Sequence, residues 1–208
     1  MCEAAAEKAN EMGTECTYAV ESCDCFPGTA TVQLKDGRTI LMRDLVVGDT
    51  VLTGPGGQYS EVYLFSHRLA DTTATYVQLK TASAALLQLS KRHYVYVNGD
   101  RLVEAQSVKV GDNVTLGALG EATTVIAVGL ARNEGIYNPH TLQGNIVVDG
   151  ILASTYTAAF SPALAHAVLA PLRALYCAGV DIFKVDVGSA LDVLPAWWTR
   201  RFHGEENA

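Results

Sequence analysis

The spacing of hydrophobic positions changes twice along this chain. Residues 3–12 (Glu3 to Met12) are rich in Ala and Glu and do not alternate, which predicts a helix ended by Gly13. Residues 13–24 predict a polar tether. From Thr29 the apolar positions recur with period two, the spacing of a strand with one buried face. Thr31-Val32-Gln33-Leu34 and Thr39-Ile40-Leu41-Met42 flank the turn Lys35-Asp36-Gly37-Arg38, which predicts a hairpin. Leu45 to Leu52 is a second strand-turn unit, followed by the loop Gly54-Pro55-Gly56-Gly57. Further strands are expected at 61–66, 75–80, 84–90, 123–129 and 145–153, with Gly135 to Gly144 joining the last two. Beyond Tyr156, Ala and Leu dominate residues 161–183. Pro162, His166, Pro171 and Arg173 argue there against a bilayer span and for two short amphipathic helices. Ala190 to Trp198 is a third apolar stretch, leading into Trp197-Trp198-Thr199-Arg200-Arg201-Phe202. That composition suits an interfacial anchor or a helix docked on the protein's own β-core.

A repeat orders the strands. Val46-Val47-Gly48-Asp49-Thr50-Val51 recurs as Lys109-Val110-Gly111-Asp112-Asn113-Val114, an offset of 63 residues. Val32 falls on Val95, Leu34 on Val97, Arg38 on Arg101 and Val62 on Val125 at that offset, and the turns Asp36-Gly37 and Asn98-Gly99 agree within one residue. This register predicts two duplicated β-subdomains about a pseudo-two-fold axis, with Cys25 and the Ser90–His93 segment near the shared centre. An ordinary β-sandwich with similar hairpins is the alternative.

Composition narrows the function. With 208 residues, 49% of them hydrophobic, the chain can bury a substantial core. A net charge of −7 and the lack of a basic stripe argue against nucleic acid. Cys2, Cys16, Cys23, Cys25 and Cys177 show no zinc spacing, so neither a metal nor another cofactor is expected, although the first four could form disulfides. Residues 1–24 are acidic without an apolar run, which is not the pattern of a signal peptide.

The candidate chemistry lies at Asp24-Cys25-Phe26-Pro27-Gly28, where the leader meets the β-pattern. A Cys25 thiol can attack the Asp24 carbonyl through a five-membered ring, converting the peptide bond into a thioester. That step needs the carbonyl polarised and the departing nitrogen protonated. Ser90-Lys91-Arg92-His93 offers a hydroxyl for the first task and a neutral imidazole for the second. His67 can deprotonate the thiol, whose ordinary pKa near 8.5 leaves little thiolate at neutral pH, or activate a second nucleophile. For His140 and His166 a turn or core role is expected, and His203 is expected in a solvated tail.

Together these residues resemble the autoprocessing (Hint-type) domain of Hedgehog proteins, the Hog region, a relative of inteins. The resemblance rests on Cys25-Phe26-Pro27-Gly28, Leu45-Val46-Val47-Gly48-Asp49 and Ser90-x-x-His93. It extends through the segment Gly135 to Val148, Ala153-Ser154-x-Tyr156, and the tail residues Leu164 to Arg173 and Val193 to Trp197. It implies an all-β horseshoe of duplicated subdomains followed by a short helical C-terminal region. The implied domains are a leader over 1–24, an autoprocessing domain over 25–157 and a sterol- or membrane-associating tail over 158–208. The implied activity is self-cleavage through a Cys25 thioester, with the chain's own N-terminal flank as substrate and a sterol, guided by residues 161–203, or water as acceptor. A monomer in a secretory or membrane-associated setting is implied. Four positions depart from the family: Asp24 replaces Gly, Ser90 replaces Thr, His67 replaces an Asp of the second step, and Thr155 replaces a Cys. A rival reading is a catalytically silent β-domain whose tail binds lipid or membrane.

Overall fold

A computed structural model describes residues 25–158 and 161–180. The helix expected at 3–12, the tether, the leader cysteines, Asp24, the stretch 190–198 and His203 lie outside them. The chain divides into two compact units between His166 and Ala167.

Among the described residues the first unit is almost wholly β. Its strands are β1 (Thr31–Gln33), β2 (Thr39–Leu41), β3 (Thr50–Gly54), β4 (Gln58–Thr81), β5 (Leu86–Leu89), β6 (His93–Val97), β7 (Arg101–Glu104), β8 (Asn113–Thr115), β9 (Ala122–Thr141), β10 (Asn145–Val148) and β11 (Ile151–Thr157). β1 and β2 pair separately, and the others form one antiparallel sheet in the order β10-β11-β6-β8-β9-β4-β3, with β5 on β4 and β7 on β6. β10, at one end of that path, packs against β3 at the other, so the sheet nearly closes into a horseshoe. The alternating side chains of β1 and β6 place Val32, Val95 and Val97 in the shared core with Phe26, Leu34, Leu79 and Ile146. α1 (Pro162–Val168) and α2 (Ala170–Cys177) are the two short helices expected beyond Tyr156.

The duplication holds at the level of single hydrogen bonds. Thr31↔Leu41, Val32↔Ile40 and Gln33↔Thr39 in β1–β2 recur as Tyr94↔Glu104, Val95↔Val103 and Tyr96↔Leu102 in β6–β7. Thr50↔Glu61, Val51↔Ser60 and Leu52↔Tyr59 recur as Asn113↔Thr124, Val114↔Thr123 and Thr115↔Ala122. Each half also has a turn glycine in the left-handed region, Gly48 at φ +97° and Gly111 at φ +96°. An aspartate closes each turn: Val46 N–H donates to Asp49 Oδ2 and Lys109 N–H to Asp112 Oδ2, both at 2.9 Å.

Three strand boundaries differ from expectation. The strands expected at 61–66 and 75–80 are parts of the single 24-residue β4. Between them the chain pairs only with β9 as a two-stranded ribbon whose one half-buried face mixes Leu69 and Ala74 with His67 and Thr72, so its sequence carries no apolar alternation to mark a strand. Gly135 to Gly144, expected as a connection, continues β9 as far as Thr141. There Ile136 to Thr141 are buried without a break, so alternation is again missing, for the opposite reason. The expected strand 145–153 is a hairpin, divided at Asp149 and Gly150, both with positive φ.

The N-terminal edge of the first unit is held by a close backbone approach. Gly135 sits at φ +86°, and a Cβ there would lie 2.5 Å from the Tyr137 ring and 2.9 Å from the Gly28 nitrogen. Gly129, on the exposed part of the same strand, has nothing within 4 Å of its would-be Cβ. Gly135→Ala is therefore expected to cost roughly 1–3 kcal/mol of stability, while Gly129→Ala stays within about 0.5 kcal/mol of wild type, measured by denaturant unfolding.

Candidate active site

Cys25 is wholly buried against Ile136, Leu69 and Ala74 at the start of the β-unit. The next residue fixes it. Phe26 N–H donates to the Tyr137 carbonyl at 2.8 Å and Tyr137 N–H returns a bond to the Phe26 carbonyl at 2.9 Å. This reciprocal pair adds the Cys25 segment to the edge of β9.

Ser90 clamps the same residue from the other half of the duplication. Cys25 N–H donates to Ser90 Oγ at 2.8 Å, and Ser90 N–H donates to the Cys25 carbonyl at 2.9 Å. Ser90 thus meets the Asp24–Cys25 peptide on its nitrogen side. The turn that follows is tight, His93 N–H donating to the Ser90 carbonyl at 3.1 Å, and it brings the fully buried His93 ring to 4.2 Å from the Phe26 ring. His93 Nε2–H donates to the Ser154 carbonyl at 2.8 Å. That bond settles the tautomer: Nε2 carries the proton of the neutral ring and Nδ1 is the nitrogen that can take one. Donation from Nδ1 to an amide therefore requires a proton first taken up there.

His67 reaches the thiol directly, with Nδ1 3.3 Å from Cys25 Sγ. Burial lowers its pKa below the ordinary histidine value, so it is a neutral acceptor at pH 7. Ser90 and His67 thus both bond Cys25, and His93 lies against the ring of the neighbouring Phe26, although the four are separated by up to 68 positions in the chain. Asp24 lies outside the described residues. Thr155 is fully buried, and its Oγ1 has no partner among the described residues.

Sequence reasoning missed three contributors. The Ser154 carbonyl is a backbone group that no side-chain motif marks. The Tyr76 hydroxyl donates to the Gly135 carbonyl. Burial first, then the Cys25 thiol and Tyr137, raise its pKa far above the phenol value, so it remains a donor. The third is Asn138 with His140, both buried and both bonded to Ser66. Their period-two spacing within Gly135 to Gly144 was the available signal. His166 bonds the Tyr156 hydroxyl through Nδ1 at 2.6 Å. Among the described residues no cluster of His, Cys, Asp or Glu is arranged to hold a metal ion, and no helix is long and apolar enough to cross a membrane.

Residues 8–188 match the Hint module family. Over 183 residues the chain is 33% identical to Indian hedgehog B protein of Danio rerio, covering 78% of this chain and 44% of that protein. It is 38% identical over 168 residues to protein hedgehog of Drosophila virilis, covering 73% of this chain and 34% of the relative. The chain thus spans less than half the length of either relative. The gp41-1 intein crystal structure superposes with a TM-score of 0.55 at 13% identity, covering 64% of this chain and 99% of the intein. A bacterial intein-like domain from Clostridium thermocellum gives 0.54 at 17% identity, with 64% and 99% covered. At these identities the structural likeness speaks for the fold alone.

Burial also holds the His140 pKa down at about 3, with His93 and His67 adding to the effect. The folded value lies below the unfolded one near 6.5. The stability from the neutral buried ring is therefore complete above about pH 6.5 and is lost as pH falls toward about 3. Urea unfolding at about pH 7.5 and about pH 4.5 should show the wild type losing more stability between them than His140→Leu, by about 2 kcal/mol.

Proposed function

The chain belongs to the Hint module family and is related to the hedgehog autoprocessing domains, and on that premise we propose that it cleaves itself once, in cis, at the Asp24–Cys25 bond. Cys-dependent autoprocessing is the chemistry typical of this family. The observation that carries the specific reading is that one residue has its amide nitrogen on Ser90 Oγ at 2.8 Å and its thiol 3.3 Å from an imidazole.

In the first step the Cys25 thiol gives its proton to His67 Nδ1 and Sγ attacks the Asp24 carbonyl carbon. The carbon–nitrogen bond breaks, and the Cys25 nitrogen takes a proton from His93 Nδ1 while Nε2–H stays on the Ser154 carbonyl. Ser90 Oγ holds the departing nitrogen in line through the bond it accepts. The product is an acyl thioester on Cys25. The proton gained by His67, which is only half-buried, exchanges with solvent and balances the one His93 gave up.

A second nucleophile, sterol or water, then releases the upstream segment. Exposed Val168 on α1 and Leu175 on α2, both in the second unit, are described residues of a tail that a sterol or membrane could use. Asp24 favours water. Its side-chain carboxylate can attack the thioester carbonyl through a five-membered ring, giving an anhydride that water opens. Such intramolecular attack reaches an effective molarity on the order of 10⁵ M when well oriented, against which a sterol hydroxyl must compete. The negative charge beside Cys25 also disfavours thiolate, so the first step is slower than with Gly at this position.

Mass spectrometry of the purified chain with dithiothreitol separates the residue roles. Cys25→Ala and His93→Ala should give no fragment ending at Asp24, whereas His67→Ala should still release it with thiol, more slowly than wild type at about pH 7 and faster as pH rises toward the thiol's ordinary pKa near 8.5. Unchanged thiol-induced cleavage in His67→Ala would remove His67 from the first step. An intact wild-type mass together with lipid binding would favour a silent lipid-binding β-domain.

A labelled sterol tests the acceptor. Sterol adduct should be scarce in the wild type and rise in Asp24→Gly. Efficient sterol attachment in the wild type would make the tail a working sterol guide and overturn the preference for water.

A further inference from the structure

Beside the thiol lies a side-chain cluster that thioester formation does not use. Asn138 Nδ2–H donates to Ser66 Oγ at 2.9 Å, and Ser66 Oγ lies 3.0 Å from His140 Nε2. A hydroxyl that accepts from the amide has its own proton to give, so Ser66 donates to Nε2. The neutral His140 ring then carries its proton on Nδ1. This leaves one buried donor, His140 Nδ1–H, and one buried acceptor, Asn138 Oδ1, with no partner among the described residues. Water is the usual partner for such groups inside a protein.

Two placements connect the cluster to the reaction. The reciprocal Phe26–Tyr137 pair puts Cys25 directly across from Asn138, and β4 pairs His67 with Asn138 from the other side. Thiol-bearing residue, amide and imidazole-bearing residue occupy one cross-strand row, with neighbouring Cβ atoms about 5 Å apart. Ser66 is exposed while Asn138 and His140 are buried, so the cluster has one end in solvent and the other in the interior. The neutral state of His140 suits it to hold a water molecule without drawing off its proton.

We infer that Ser66, Asn138 and His140 form a water-binding site beside Cys25 that supplies the nucleophile of the second step. The acyl acceptor is then water by construction of the fold, and Asp24 adds to a preference already present. The inference rests on the thioester reading above. In the step it assigns, the water oxygen bonds to the acyl carbon carried on Cys25 Sγ and the carbon–sulfur bond breaks, its electron pair going to sulfur. The water proton passes to His67 and from there to the thiolate, leaving a carboxylic acid and a restored thiol.

The test uses the chain with its upstream segment in the Asp24→Gly background, which removes the anhydride route, in water enriched in oxygen-18. Spontaneous cleavage, label in the new carboxyl group and thiol-induced cleavage are followed by mass. Ser66→Ala, at an exposed position, and His140→Leu should slow spontaneous hydrolysis about tenfold or more. Thiol-induced cleavage should stay within about twofold, and hydroxylamine should trap more thioester. His140→Gln, whose amide can donate, should recover part of the loss. Unchanged hydrolysis in Ser66→Ala and His140→Leu, or an equal fall of hydrolysis and thiol-induced cleavage, would overturn the inference. Failure of the Asp24→Gly parent to respond to thiol at all is a different result: it would refute the thioester reading and this inference with it.

Discussion

The site depends on a pair of backbone hydrogen bonds, those exchanged by Phe26 and Tyr137. They turn the start of the β-unit into an added strand on β9, and an added strand has no freedom to slide because the pairing register sets which residue faces which. Cys25 is thereby placed across from Asn138 and within reach of His67. The close approach of Gly28 to Gly135 is what lets the two backbones meet, since a Cβ on Gly135 would occupy the space of the Gly28 nitrogen. A weak nucleophile becomes effective when it cannot drift, and the proposed reaction draws on a thiol held by this pinned pairing.

The duplication explains how the remaining groups arrive. Ala30 N–H donates to the Pro27 carbonyl in the first half, as His93 N–H donates to the Ser90 carbonyl in the second, each at 3.1 Å. Arg43 N–H donates to the Gly28 carbonyl as Gln106 N–H donates to that of Lys91. Pro27 and Ser90, and likewise Ala30 and His93, are equivalent positions of one scaffold. The first half fills them with inert residues and the second with a hydroxyl and an imidazole. Chemistry arises where the symmetry of sequence is broken within a preserved symmetry of backbone.

Burial sets the protonation states that this chemistry needs. Desolvation disfavours charge, so His67 and His140 are both shifted toward the neutral form. One neutral imidazole against a thiol can accept its proton, and another bonded through Ser66 can orient a polar partner without competing for a proton. The His93 ring is oriented by the Ser154 carbonyl, which accepts from its Nε2–H.

Local signals in the chain determined a good deal. The turn residues and alternation around Asp36-Gly37 and the 63-residue repeat specified the paired halves, because hairpin register is a short-range property. Cys25 at the junction and Ser90-x-x-His93 on one tight turn were legible for the same reason. The long β4 and β9 were not, because alternation records a single buried face. β4 fully buries no face along its ribbon, where polar and apolar residues share the half-buried side, and β9 buries both beside Cys25. The thiol–His67 contact, the Ser154 carbonyl on His93 and the Ser66–Asn138–His140 cluster were decided only by tertiary structure. Each joins strands 42 to 74 residues apart or uses a backbone group. No local pattern encodes such a meeting; it exists only once the sheet has curled and its registers are set.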